Sequence, residues 1–262
     1  MMSGMVRCFA FLLLALPVTA VADPGPAVID LTYTGYASGF RVLTMQSELL
    51  LTPSGYRIAM AAQTDGLVGF VYHARWQSWA DGVWNGQSVN ALHFDSSGVY
   101  GGDPRHVTIA FRAGDAVVQT LQPPNDGEHT PVPPRVTHNV IDGLSLTVLV
   151  VHQVATLGRC DGQVTVFDGR QVESLTLGGD GTETLPATDR SAWRGPTQRC
   201  RMDARVVAGF YHDEKADPLR THTEFIWLGN VLPGLPPLPV RMTASSNHIG
   251  RVMLYLTGAK LK

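Results

Sequence analysis

The side chains best suited to acid–base or metal chemistry are nine histidines, His73, His93, His106, His129, His138, His152, His212, His222 and His248, set among 22 acidic residues. None stands at a metal-ligand spacing from another. The nearest approach is His212-Asp213-Glu214 followed by His222-Thr223-Glu224, which binds a metal only if the intervening loop folds back. A polar hairpin tip between two strands accounts for the same residues without one. The chain carries no Gly-x-Ser-x-Gly elbow, His-Glu-x-x-His helix, phosphate loop or dinucleotide fingerprint. A catalytic site would therefore have to be assembled by folding from dispersed His, Asp and Glu, the chemistry of a hydrolase. No metal or cofactor is expected.

Cys160 and Cys200 are the cysteines that follow the N-terminal segment, and there is no Cys-x-x-Cys. In an oxidising compartment such a pair is expected to form one disulfide, closing a loop of about 40 residues worth on the order of 4 kcal/mol. Zinc is the competing role, but two cysteines without a second pair match its spacing poorly. The densest aromatic group is Phe70, Tyr72, Trp76, Trp79 and Trp84. Facing a cavity, these residues would line a site for an apolar or ring-bearing ligand; packed inward, they are core, the commoner fate of aromatics in β-proteins.

The elements that must position these groups read mostly as short strands between turns. Val28–Tyr36 and Phe40–Thr52 flank Ser38-Gly39, and Tyr56–Gln63 follows Pro53-Ser54-Gly55, an antiparallel meander. Residues 65–73 read as a short helix or another strand. Five prolines fall in residues 122–134, a surface linker that no central strand accommodates. Asp142–Thr156 predicts a helix capped by Asp142 and ended by Gly158, with Leu144, Val148, Val151 and Ala155 on one face. Asp168-Gly169 between two extended runs predicts a type I′ hairpin with Arg170 starting the return strand. Without an internal repeat, the reading is mainly β: one continuous antiparallel sheet over residues 23–262, curled around that helix.

The N-terminus sets the compartment. Arg7, the apolar run Cys8–Leu16 and Ala20-Val21-Ala22 before Asp23 form the three-part pattern of a cleavable signal over residues 1–22, which predicts export. Removing it takes Arg7 from the 20 basic residues, leaving 19 against 22 acids, a balance that argues against nucleic acid. No later apolar run reaches membrane-spanning length.

Cys160, then Val166-Phe167-Asp168-Gly169-Arg170-Gln171, then Cys200, with a proline-rich passage before Asp142-Gly143-Leu144-Ser145, resemble the exported bacterial family called domain of unknown function 3108. Gln171 stands where a second basic residue is usual. By analogy with exported envelope-integrity proteins and periplasmic lipoprotein carriers, the resemblance implies an open barrel or β-spiral sheet wrapped on one helix. It implies a periplasmic, non-enzymatic role in the cell envelope, with a lipid or other apolar ligand or a periplasmic protein as partner. A scaffold without a ligand cavity is the third alternative beside carrier and hydrolase.

Overall fold

Alternation along each strand sets which way the sheet curls. In β1 (Ala27–Ala37), Ile29, Leu31 and Tyr33 are buried while Asp30, Thr32 and Thr34 point the other way. Repeated along the chain, this pattern makes one face of the sheet apolar, and that face closes on itself. The computed structural model describes residues 25–124, 127–212, 221–246 and 250–262. The predicted signal at 1–22, Asp213 and Glu214 of the His-acid tip, and His248 lie outside the described residues.

The strands after β1 are β2 (Phe40–Leu51), β3 (Gly55–Thr64), β4 (Ala74–Asn85), β5 (Ser88–Tyr100), β6 (Asp103–Arg112) and β7 (Asp115–Gln122). The second half supplies β8 (Val140–Ile141), β9 (Asp161–Phe167), β10 (Val172–Leu185), β11 (Gly195–Ala208), β12 (Thr221–Gly229), β13 (Leu238–Ser246) and β14 (Gly250–Leu261). They form one 14-stranded sheet in the order 7-6-5-4-3-2-1-14-13-12-11-10-9-8. Neighbours pair antiparallel except β8 with β9, which is parallel. The predicted single curved sheet is therefore present, as a nearly closed barrel. The linker read at residues 122–134 belongs to a crossover from β7 to β8, carrying the chain from one edge of the sheet to the other.

Two α-helices interrupt the meander among the described residues. The ambiguous stretch after Asp65 is a short helix, α1 (Gly66–Val71), capped by the Asp65 carboxylate on the Gly66 N–H. The predicted long helix is α2 (Gly143–Leu157), with Asp142 as N-cap and Gly158 in the left-handed conformation at its end. It lies against β3, β4, β5 and β9 and so spans the seam between the sheet's two edges. Its buried stripe is wider than one face, running over Val148–Val151 and Val154, whereas Ala155 is exposed.

Turn chemistry places the type I′ geometry elsewhere than predicted. Positive φ at both central residues occurs at Ser38-Gly39, Gly101-Gly102 and Ala113-Gly114. Between β9 and β10 the loop takes four residues, Asp168 to Gln171, with Val172 opposite Phe167. The Asp168 carboxylate accepts from the N–H groups of Arg170 and Gln171 at 2.8 and 2.7 Å, an Asx turn that leaves Gly169 as the loop residue with positive φ. Arg170 thus sits in the loop, not on the return strand.

Candidate functional site

The barrel fails to close completely between β7 and the β8–β9 edge. At the α2 end, backbone closes it: the Ala116 N–H donates to Thr137 O at 2.9 Å, and the Asn139 N–H to Gly114 O at 2.6 Å. At the opposite end the β9–β10 loop closes it. A Cβ on Gly169 would stand 2.4 Å from Val107 Cγ2, so this glycine lets the loop lie directly on β6. Arg170 reaches across the seam and donates to the Pro123 carbonyl at 2.5 Å, and Gln171 Nε2 donates to Gly209 O at 3.3 Å. The resembling motif is therefore a clasp, with Phe167 buried beneath it.

Between these closures lies a cleft of about 500 Å³. Ala116, Val118 and Leu121 line it from β7, Pro124, Pro131, Val132 and Pro134 from the crossover, and Phe167 and Gly169 from the clasp. Arg170, His129 and His212 add basic or ionisable groups, and no carboxylate lines it among the described residues. The crossover is held on its far side by Thr130 N–H to Phe210 O and His212 N–H to Glu128 O, both at 2.8 Å, with the His129 ring against Tyr211. The arrangement offers an apolar slot bordered by the Arg170 guanidinium and two imidazoles, a composition suited to an amphiphile.

The five aromatics do not line this cleft. Trp76 and Trp84 face inward and pack against the core, Trp76 stacked on Tyr100 and Trp84 on His152. Trp79 lies one residue out of phase, on the outer face under the Arg57 guanidinium at 4.3 Å. There it borders a shallow trough of about 690 Å³ with Gln46, Glu48, Asp95 and Lys262. Tyr72 is half-buried and Phe70 is 91% exposed on α1. An alternating strand sends successive side chains to opposite faces, so their closeness in sequence never implied a common wall.

The cysteines are joined, with Cα atoms 5.9 Å apart and both residues buried. Cys160 precedes β9 at the α2 end, so the bridge ties the base of the β9–β10 hairpin to β11, away from the clasp. The histidines scatter as well. His93–Asp81 and His138–Asp115 are exposed pairs at 2.9 and 2.6 Å, and His222 stands 4.0 Å from Glu173. His106 meets Asp95 at 2.9 Å, with Thr108 on the same carboxylate, but Val107 between them packs inward, so this cluster faces outward. No group of three metal-ligating side chains occurs among the described residues. Sequence reasoning missed Val118, Leu121, Val132, His129 and His212 as lining residues; the legible signal was Val117-Val118 before a proline pair, the mark of an edge strand.

The match that decides the family spans residues 29–257 and is to the family described as protein of unknown function DUF3108. The chain belongs to this DUF3108 family. A comparison with curated proteins finds no match. Among solved structures, the chain is similar to a crystal structure of a beta-barrel-like protein of domain of unknown function DUF1849 from Brucella abortus. The two share 10% identity at a TM-score of 0.51, covering 90% of this chain and 98% of that one. At that identity the likeness concerns the fold alone: this DUF3108 chain shares a barrel-like architecture with the DUF1849 protein. No helix among its described residues is long and apolar enough to cross a membrane.

Proposed function

We propose that this DUF3108 protein is an exported, non-enzymatic binding protein of the bacterial envelope that takes an apolar chain with an anionic head, such as a single-chain lipid, into the seam cleft. The observation that carries the reading is the cleft's composition. Its walls are valine, leucine, proline and phenylalanine, its ionisable groups are Arg170, His129 and His212, and its volume falls within the range of small-molecule sites. The disulfide and the signal pattern support an oxidising, extracytoplasmic address.

A fluorescent single-chain fatty acid, titrated into the purified protein, is expected to bind saturably at one site and to be displaced by the unlabelled acid. Val118→Arg, a change at a half-exposed wall residue, is expected to abolish that binding without lowering the melting temperature appreciably. Binding that V118R leaves intact, or no saturable binding at all, overturns the reading. The hydrolase alternative has one observation in its favour, the His106–Asp95–Thr108 cluster. Ester hydrolysis lost in His106→Ala and retained in V118R would favour it instead.

A further inference from the structure

We infer that the end of the barrel carrying the clasp docks on the surface of a phospholipid bilayer through Phe40, Phe70 and Val71. These are exposed at 64%, 91% and 91%, large apolar side chains left in water, while Val68 of the same helix packs against the core. They share this end of the barrel because α1 is seated on the start of β2. The Asp65 N–H donates to Val42 O at 2.9 Å, Asp65 pairs with Arg41, and a Cβ on Gly66 would stand 2.6 Å from the Arg41 carbonyl, which directly follows Phe40. The far end of α1 is pinned too: Thr64 Oγ1 donates to Tyr72 O and accepts from the Ala74 N–H, at 3.0 and 2.9 Å. The apolar tip is thus a fixed part of the fold.

Shape and charge point to a bilayer as the occupant. A hairpin turn and a single-turn helix are protrusions, which enter a deformable phase more readily than they match a rigid partner. From Gly66 to Gln77 the chain has no acid and carries His73 and Arg75, both exposed, which complement anionic headgroups. The Asp65 carboxylate is engaged by Arg41, and of the acids near Tyr72, Glu128 is paired with Arg105 while Asp103 stands at the start of β6. The clasp that bounds the cleft lies at this same end, where it rests on Val107 and Leu121 beside the Gln122 end of β7. Docking would bring the cleft to the lipid source; this purpose rests on the function proposed above, but the docking itself does not.

The test is sedimentation of the protein, freed of residues 1–22, with vesicles of phosphatidylethanolamine and phosphatidylglycerol; β1 begins at Ala27, so that removal leaves every strand in place. Wild type is expected to partition onto the vesicles, and the double variant Phe70→Ser, Val71→Ser to lose roughly tenfold or more in partitioning, with an unchanged melting temperature. V118R should bind vesicles like wild type, so failure of the cleft reading and failure of docking are read separately. Absence of vesicle binding, equal binding by the double variant, or burial of the patch in a concentration-dependent dimer that the double variant dissolves would each overturn the inference.

Discussion

Asp142 has no exposed surface, and its two oxygens serve different partners. Oδ1 accepts from the N–H groups of Leu144 and Ser145 at 2.9 Å each, the N-cap of α2; Oδ2 accepts from the Ser145 hydroxyl at 2.5 Å, which itself accepts from Tyr56 OH at 2.7 Å. Burial outweighs these hydrogen bonds and lifts the carboxyl from 3.8 to about 6. A folded-state value above the unfolded one contributes stability below pH 4 that is lost as pH rises through about 6. Asp142→Asn keeps a capping oxygen and removes the titration. Its stability relative to wild type, measured by urea unfolding, is therefore expected to improve from pH 4 to pH 7 by up to about 3 kcal/mol. Ser145→Ala strands both Tyr56 OH and the carboxylate and is expected to cost about 1–3 kcal/mol at neutral pH. The cap was legible in the sequence as Asp142 before an apolar run. Its deeper role was not, because Tyr56 arrives from 89 positions upstream of Ser145. At the clasp, Gly169 combines φ +98° with a would-be Cβ 2.4 Å from a valine methyl. Gly169→Ala is expected to destabilise by about 1–3 kcal/mol and to weaken fatty-acid binding by opening the seam, checked by melting and by the titration described above.

At the scale of elements, α2 and the disulfide secure the same corner. Gln153 brackets the backbone of Asp161, its Nε2 donating to the carbonyl at 3.0 Å and its Oε1 accepting from the N–H at 3.1 Å, and Cys160 next door is bridged to Cys200 across β10. The short parallel strand β8 and the start of β9 thus depend on a helix and a covalent tie, having few sheet neighbours of their own. The double variant Cys160→Ala, Cys200→Ala is expected to lose about 4 kcal/mol on the loop-length estimate. Hydrogen exchange should rise first in β8, β9 and α2 and last in β1–β3. Strand existence was legible almost throughout, since alternation survives wherever one face is buried. What the sequence concealed was length. β10 runs on through Gly178, Gly179 and Gly181 to Leu185, and β11 begins at Gly195, where glycines and a proline read as loop but lie in a hairpin extending past the disulfide. The Asp168-Gly169 turn was located correctly and its type missed, because the Asp168 side chain satisfies two loop N–H groups and lengthens the turn.

Across the whole molecule, the first and last strands are neighbours at the middle of the sheet order, β1 between β2 and β14, so the barrel's continuity hangs on the pairing most distant in sequence. That a single sheet runs through both halves could be inferred from the missing repeat and the helix's need for cover. Where it would leave a gap could not, because the cleft is made by the crossover, the β7 edge and the clasp, three segments whose meeting depends on the closing curvature. The same topology yields a test. Removing Gly250–Leu261 bares the facing edges of β1 and β13 and divides the sheet into two runs of strands, neither able to bury its apolar face alone. The truncated chain is expected to lose cooperative thermal unfolding and to aggregate. A circular permutant that links Lys262 to the start of β1 and opens the chain at Gly101-Gly102 keeps every pairing, and the Lys262 N–H already donates to Val28 O at 2.9 Å, so the new join spans almost no distance. The permutant should unfold cooperatively near the wild-type midpoint and fold faster, since its central pairing becomes local. A cooperative, monomeric truncated chain on gel filtration and calorimetry would show that each half is self-sufficient, and that the β1–β14 seam joins two folding units instead of completing one.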